Sequence, residues 1–113
     1  MDCLFCSIIA GETPSTEVLS TEVAYAFRDI NPKAPTHVLI VPKKSLARLS
    51  EAGAEDEKLL GRLLLKAGEV ARQLGLNKSG YRVVINNGRD GGETVPHLHC
   101  HILGGRGLAW PPG

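Results

Sequence analysis

Three of the four histidines in this chain stand at alternate positions, His97, His99 and His101, with apolar residues between them. Side chains of a β-strand point alternately to opposite faces, so this spacing predicts one strand within residues 95–105. Its apolar face would pack into a core, and its other face would present imidazoles spaced about 6.6 Å apart. Histidine exchanges protons near neutral pH, which makes this stripe the first candidate for chemistry.

Three kinds of chemistry suit such a stripe: metal binding, general acid–base catalysis and nucleophilic attack on phosphorus. The outer imidazoles begin about 13 Å apart on a strand, so one metal ion is not expected to bind all three. A neutral imidazole attacks phosphorus well near neutral pH and divides one displacement into two through a covalent intermediate. The glycine-rich segment before the strand, residues 87–94, offers backbone N–H groups to an anion. Nucleophilic chemistry uses both the stripe and the loop, and we therefore favour it.

Four residues outside the stripe also have side chains suited to binding. Asp29 follows a predicted strand, where its carboxylate would accept hydrogen bonds from two vicinal hydroxyls or form an Asx turn. His37 precedes an apolar strand predicted at residues 38–41 and would join the site if that strand lies beside the histidines. Cys3 and Cys6 form a C-x-x-C whose sulfurs would either share one metal ion or be buried as small apolar groups.

Helices and further strands are predicted to carry these residues. Apolar residues at helical spacing predict one long helix over residues 55–74, ended by Gly75, and a short helix within residues 2–10, capped by Asp2. Gly61 in the long helix would let another backbone, such as that of a second subunit, approach closely. Trp110 is expected to anchor an extended tail. Other strands are predicted at residues 17–20, 23–29 and 81–86.

The composition limits the classes of function. The 113 residues suit one domain, 1–113, and with 42% hydrophobic and 22% charged residues a disordered chain is not expected. The net charge is +1 without a basic run, so no large nucleic-acid surface is expected. The N-terminal apolar stretch is too short and polar for a signal peptide or a membrane span, which predicts a cytoplasmic protein. The three cysteines, an odd number, then favour reduced thiols.

Several motifs accompany the H-x-H-x-H pattern. They are DINPKAPTH at residues 29–37, GYR at 80–82, DGG at 90–92, LGGR at 103–106 and WPPG at 110–113. Together they resemble the histidine-triad (HIT) family over essentially the whole chain. The Gly-Gly-Arg after the histidines and the C-terminal Trp-Pro-Pro-Gly favour its nucleotide-binding branch over the dinucleotide-hydrolase and decapping branches.

The resemblance implies a fold and an activity. The fold is α+β: a five-stranded antiparallel sheet with one long helix and a short N-terminal helix, the sheet being extended across a homodimer. The activity is hydrolysis of the P–N bond of purine nucleoside 5′-phosphoramidates, derivatives of AMP or GMP, and no cofactor is required for it. The alternative function is that of a nucleotide-binding adaptor.

The resemblance also implies roles for individual residues. His99 would be the nucleophile and form a nucleotidyl-histidine that water then hydrolyses, while His101 would contact the phosphate and His97 and His37 would support the site. Asp29 would bind the ribose hydroxyls and Ile30 the base. The phosphate would be lined by Asn86, Gly92, Glu93 and Thr94.

The C-x-x-C is a departure from many members of this branch. Related proteins that have it use it as part of a zinc site, and the resemblance then implies Cys3, Cys6, His37 and His97 as ligands. Two sulfurs and two imidazoles suit a closed structural zinc site and leave His99 and His101 free. His97 is therefore expected either to support catalysis or to complete the zinc centre.

Overall fold

Five strands form one antiparallel sheet, and a helix packs on each of its faces. The computed structural model describes residues 3–113, and within them the strand order is β1-β2-β3-β5-β4. The elements are α1 (Leu4–Ile9), β1 (Glu17–Ser20), β2 (Ala24–Arg28), β3 (Thr36–Pro42), α2 (Glu57–Gln73), β4 (Tyr81–Val84) and β5 (Cys100–Gly104). The predicted α+β architecture, with one long and one short helix, is confirmed.

The two faces of the sheet bury different side chains. On the central strand β3, Val38 and Ile40 point to the face that α2 covers, where they meet Leu63 and Val70 of the helix. The intervening Leu39 belongs to a second apolar cluster, which includes Phe5 and Ile8 of α1. The face under α2 is thus a closed core, while the short α1 covers only part of the opposite face.

The long helix matches the prediction to within two residues. Residues 55 and 56 are not part of α2, because a 3₁₀ turn at Ala54–Asp56 precedes it. The buried Asp56 carboxylate holds this turn by accepting hydrogen bonds from the Gly53 N–H, at 3.0 Å, and from the Lys44 ammonium, at 2.7 Å. Gly75, with φ of 75°, ends the helix in the left-handed region.

The short helix begins with Cys3 at its N-cap. The Cys3 sulfur accepts a hydrogen bond from the Cys6 N–H at 3.2 Å, as a capping side chain does. Asp2, the predicted cap, lies outside the described residues.

The prediction of one strand through all three histidines is wrong. The strand β5 begins only at Cys100, whose partner is Ile40 on β3. Beyond that pair, the carbonyl oxygen of Pro42 on β3 accepts a hydrogen bond from the His97 ring at 2.9 Å, and the Leu98 N–H donates to the Leu46 carbonyl at 2.7 Å, so the chain before β5 is held by single hydrogen bonds rather than by a ladder. The apolar positions behave as predicted, since Leu98, Cys100 and Ile102 are all buried in the core under α2.

Three smaller findings concern the periphery. Trp110 is 81% exposed, so it does not anchor the tail on the described part of this chain; instead Arg82 donates hydrogen bonds to the carbonyls of Leu108 and Ala109. A Cβ added at Gly61 would meet nothing within 4 Å, so no part of this chain within residues 3–113 makes the close approach predicted there. No helix within residues 3–113 is long and apolar enough to cross a membrane.

Candidate active site

A cleft of about 250 Å³ opens on the face of the sheet that α1 partly covers. Its walls are largely apolar, and two imidazoles and one carboxylate reach it. The described residues that line it are Leu4, Phe5, Ile8, Thr13, Pro14, Ser15, Phe27, Arg28, Asp29, Ile30, Leu39, Thr94, Val95, His99 and His101. A mostly apolar cleft with a few convergent polar groups is the usual form of a small-molecule site.

His99 is held so that one ring nitrogen is available to a ligand. Its Nδ1 lies 2.7 Å from the carbonyl oxygen of His97, and because a carbonyl only accepts, Nδ1 carries the proton and donates. The lone pair is then on Nε2, on the side of the ring that faces away from this bond. The Phe5 ring stands edge-on to His99, with centroids 4.9 Å apart, and restricts rotation of the imidazole. The geometry suits a nucleophile whose tautomer is set before substrate arrives.

A chain of hydrogen bonds sets the tautomers of His37 and His101 in the same way. The Lys33 N–H donates to His37 Nδ1 at 3.0 Å, so the His37 proton is on Nε2. That Nε2–H donates to His101 Nδ1 at 2.9 Å, so His101 in turn carries its proton on Nε2. His101 therefore offers an N–H donor to the cleft, beside the His99 ring, whose centroid is 5.0 Å away.

Burial keeps this pair of imidazoles neutral. Desolvation, reinforced by the neighbouring His99 and His37, lowers the pKa of His101 to about 4, against a smaller opposing effect of Asp29. The pKa of His37 is also lowered, mainly by desolvation. At neutral pH, His101 is thus a hydrogen-bond donor without a positive charge.

Asp29 and Ile30 stand at one end of the cleft, just after β2. One Asp29 oxygen accepts a hydrogen bond from the Asn31 N–H at 2.9 Å, so the Asx turn considered from the sequence is present. The other oxygen lies 3.4 Å from His37 Nε2, and the carboxylate still lines the cleft. Ile30 is 97% exposed at the rim, where a flat apolar ligand could cover it.

The glycine-rich loop closes on itself next to His99. The Asn86 amide donates to the Gly91 carbonyl at 2.6 Å, and Gly92, with φ of 80°, turns the chain toward Thr94, which lines the cleft. The Glu93 carboxylate points elsewhere: it accepts hydrogen bonds from Gly88 N–H and from Arg48. Of the four residues predicted to line a phosphate, Thr94 reaches the cleft, while Asn86 and Glu93 hold the loop.

His97 turns away from the other two histidines of the motif and toward the cysteines. Its Nε2–H donates to the Pro42 carbonyl, which leaves Nδ1 as the acceptor. That Nδ1 lies 3.4 Å from the Cys3 sulfur and 3.5 Å from the Cys6 sulfur. His97 is 1% exposed and is not among the described residues that line the cleft.

Similarity to known proteins decides which family this geometry belongs to. The sequence model of the HIT domain matches residues 10–108. A HIT-like protein of the cyanobacterium Synechocystis is 54% identical over 112 residues, which cover 99% of this chain and 97% of that protein. The chain belongs to the histidine-triad family.

Solved structures of HIT proteins agree with the fold. A HIT family hydrolase from Legionella pneumophila superposes with a TM-score of 0.97 at 47% identity, covering 99% of this chain and 100% of that one. A histidine triad nucleotide-binding protein from Candida albicans gives a TM-score of 0.83 at 35% identity, covering 97% and 83%. The chain therefore has the fold of these solved HIT proteins.

The zinc set expected from the sequence is not assembled as a group of four. Cys3, Cys6 and His97 come together, but His37 lies in a different group with Asp29 and His101. The structure also joins Cys3 to Cys6 as a disulfide, contrary to the expectation of reduced thiols, while Cys100 is free and buried. A helical i, i+3 spacing brings two sulfurs onto one face, which serves a disulfide as readily as a metal.

The donor chemistry of the remaining three residues still fits zinc once the disulfide is reduced. Tetrahedral zinc with ordinary Zn–S and Zn–N bonds separates its sulfur and nitrogen ligands by about 3.5 Å. The two observed sulfur–nitrogen distances, 3.4 and 3.5 Å, match that separation. A histidine that binds metal usually donates its other N–H to a carbonyl, as His97 does to Pro42.

Two groups of functional residues were missed from the sequence. The apolar side chains of α1, Leu4, Phe5 and Ile8, form one wall of the cleft, although their helical spacing predicted only a buried face. Arg48 is the second, since a lone arginine in a loop carries no sequence signal. Its pairing with Glu93 depends on tertiary structure alone.

Proposed function

We propose that this HIT protein hydrolyses the P–N bond of purine nucleoside 5′-phosphoramidates, as a member of the nucleotide-binding branch. The observation that carries the proposal is the tautomer of His99, whose Nδ1–H is committed to a carbonyl and whose Nε2 lone pair is free for attack. Similar proteins described as a HIT family hydrolase and as a histidine triad nucleotide-binding protein support a hydrolase that acts on nucleotides.

The first half of the reaction transfers the nucleotidyl group to His99. The Nε2 lone pair attacks phosphorus, a bond forms between them, and the P–N bond of the substrate breaks. The amine departs with its bonding electron pair and takes a proton from water in the open cleft. His101 donates its Nε2–H to a phosphoryl oxygen, where it stabilises the charge of the transition state without carrying charge itself.

The second half returns the enzyme to its starting state. A water oxygen attacks the phosphorus of the nucleotidyl-histidine, the bond to Nε2 breaks, and the water gives up a proton to solvent. The Nδ1–H bond to the His97 carbonyl persists throughout, so the imidazolium formed at His99 in the intermediate is stabilised by a fixed acceptor. The net reaction consumes one water and releases an amine and a nucleoside monophosphate.

The rest of the cleft suits a purine nucleoside. Asp29 keeps acceptor capacity for the two ribose hydroxyls beside its Asx turn, and the base would lie between Ile30 at the rim and the apolar wall of α1. Thr94 and the Gly92 turn would face the phosphate. The cleft combines a largely apolar wall with a few polar groups, as a nucleotide requires.

Hydrolysis of adenosine 5′-phosphoramidate, followed by phosphorus NMR, tests the proposal. Wild type should release AMP, and His99→Ala should abolish turnover while the protein remains folded, which circular dichroism checks. Arg89→Ala is the matched control. This arginine lies in the glycine-rich loop, its side chain is 93% exposed, and among the described residues it forms an ion pair only with its neighbour Asp90. Absence of hydrolysis of any nucleoside phosphoramidate by wild type would refute the function.

The homodimer expected from the sequence also belongs to this proposal. The strand β4 ends the sheet, so one of its edges has unpaired backbone groups, and a Cβ added at Gly68 of α2 would lie 3.9 Å from the Tyr81 hydroxyl on that strand. Leu64, 52% exposed and one turn before Gly68, continues the same face of the helix. A second copy would extend the sheet through β4 and cover this face.

Sedimentation velocity, which measures the oligomeric state, tests whether this face of α2 forms the dimer interface. Leu64→Glu should convert the dimer to a monomer, because a charge would be buried in the interface. Leu65→Glu is the control: Leu65 is 73% exposed but faces Thr21 and Glu22 on the other side of α2. A dimer that survives Leu64→Glu, or a wild type that is monomeric, contradicts the proposed interface.

Structural zinc held by Cys3, Cys6 and His97 is the remaining part of the proposal. When bound, zinc would tie α1 to the segment before β5 and would take no part in the displacement. Metal analysis of tag-free protein purified under reducing conditions should give about one zinc per chain, and Cys3→Ser should remove it. Zinc content near zero in the reduced wild type would exclude the site and leave the disulfide as the link.

A further inference from the structure

A carboxylate stands at the edge of a site that is proposed to bind an anion. Glu93 is the residue immediately before Thr94, which lines the cleft, and its side chain is only 10% exposed. A bare carboxylate in that position would repel an incoming phosphate through a poorly solvated region. The site can accept an anion only if this charge is neutralised.

Arg48 supplies the neutralisation with a forked contact. Its Nε donates to the two Glu93 oxygens at 2.9 and 3.2 Å, and its Nη2 donates to Oε2 at 3.0 Å. The Gly88 N–H donates to Oε1 at 2.9 Å, so both carboxylate oxygens are engaged. Arg48 holds the pKa of Glu93 at about 2, with smaller contributions from Gly88 and from the nearby His99. Its remaining arm pairs with Glu51.

The same contact fixes the loop to a different part of the chain. Arg48 lies in the segment after β3, and two residues later the Ser50 N–H donates to the Asn87 side chain at 2.8 Å. Within the loop, the Glu93 N–H donates to the Gly88 carbonyl at 3.1 Å. Among the described residues that line the cleft, neither Arg48 nor Glu93 appears, so any effect of Arg48 on a ligand passes through Glu93.

We infer that Arg48 is a positioning residue: it draws the Glu93 carboxylate out of the cleft and cancels its charge, so that the adjoining Gly92–Thr94 backbone can accept a phosphoryl anion. The inference rests on the proposed function for the identity of the anion. On this inference, loss of Arg48 weakens binding of the phosphate but not of the nucleoside. A purely structural role in the loop would predict that both are weakened.

Binding of AMP and of adenosine distinguishes these two roles. Arg48→Gln keeps a hydrogen-bond donor near Glu93 but removes the charge, and it should weaken AMP binding about tenfold or more while adenosine binding changes less than about threefold. Adding Glu93→Gln in the same chain should restore AMP binding to within about threefold of wild type, since no uncompensated charge remains. Calorimetric titration measures both ligands, and Arg89→Ala, expected to change neither, is the control for loss of an exposed positive charge.

Turnover supplies a second readout. In Arg48→Gln the KM for the phosphoramidate should rise by a factor similar to that for AMP, with a smaller change in kcat, because the bond-forming groups are untouched. Arg48→Lys keeps the charge without the fork and should retain AMP binding better than Arg48→Gln. If Arg48→Gln does not fold, Arg48→Lys replaces it as the test variant. A loss of AMP binding in Arg48→Lys that Glu93→Gln does not rescue overturns the inference.

Failure of this inference can be told apart from failure of the proposed function. If wild type binds AMP but does not hydrolyse phosphoramidates, the function is wrong and the ratio of AMP to adenosine affinities still decides the role of Arg48. Equal losses of affinity for AMP and adenosine would show that Arg48 only holds the loop in place. The same conclusion would follow if the variant with both Arg48→Gln and Glu93→Gln bound AMP no better than Arg48→Gln. A wild type that binds neither ligand overturns both proposals.

Discussion

The stability of this protein should fall between about pH 8 and about pH 5, in part because of the half-buried imidazole of His101. The pKa of His101 is lowered from 6.5 to about 4, chiefly by desolvation. A histidine in the unfolded chain binds a proton near pH 6.5, so between these two pKa values the unfolded state holds more protons than the folded state. Stability is therefore complete above pH 6.5 and is lost as the pH falls toward the folded-state pKa.

The size of the effect follows from the two pKa values. The full shift of 2.5 units, from 6.5 to about 4, corresponds to an upper limit of about 3.4 kcal/mol. At about pH 5 the loss attributable to His101 is about 2 kcal/mol, since part of the titration lies below that pH. The pKa of Glu93, lowered to about 2, keeps its carboxylate ionised throughout this window.

Urea unfolding of wild type and His101→Gln at about pH 8 and about pH 5 measures this contribution. Glutamine keeps an amide that can meet His37 but does not titrate, so the difference between the two pH dependences reports His101 together with its coupling to His37. Wild type should lose about 2 kcal/mol more than the variant. Equal losses in both proteins would refute the reasoning, because they would show that His101 has an ordinary pKa in the folded state.

Three further predictions concern the loop, the cleft wall and the cysteines. A Cβ at Gly91 would lie 2.5 Å from the Asn87 carbonyl oxygen, so Gly91→Ala should disrupt the loop and raise the KM, whereas Gly107→Ala, with nothing within 4 Å, should leave it unchanged. Phe5→Ala should cost about 3–5 kcal/mol of unfolding free energy and weaken nucleoside binding, because the buried ring packs on Phe27 and His99; urea unfolding and calorimetry check this. Unreduced native protein should take up no iodoacetamide, since Cys3 and Cys6 are paired and burial raises the pKa of Cys100 to about 11. Labelling followed by mass spectrometry checks this, and alkylated Cys100 in the absence of denaturant would contradict it.

Elements with a strong local pattern could be predicted from the sequence. Apolar residues at helical spacing on α2, such as Leu63 and Val70, and the alternating Leu98, Cys100 and Ile102 all lie in the core between this helix and the sheet. The ends of elements were less well predicted: β5 starts at Cys100 because its ladder with β3 stops there, and the position of that stop depends on the partner strand. The two cysteines are a similar case, since their spacing suits a disulfide and a metal equally.

The histidine motif shows which features follow from the sequence and which depend on the tertiary structure. The sequence alone determined that the apolar residues between the histidines face a core, because this follows from residue type and a period of two. Only the tertiary structure decided that His97 turns to the cysteines, that His99 keeps a free Nε2 and that His101 is paired with His37. Those roles depend on which carbonyl or ring nitrogen each imidazole meets. His99 meets the carbonyl of His97, two residues away, but the partners of His97 and His101 come from α1 and β3, far away in sequence. A hydrogen-bond partner across such a distance leaves no trace in local spacing, so the chemistry that distinguishes one histidine from the next is a property of the fold.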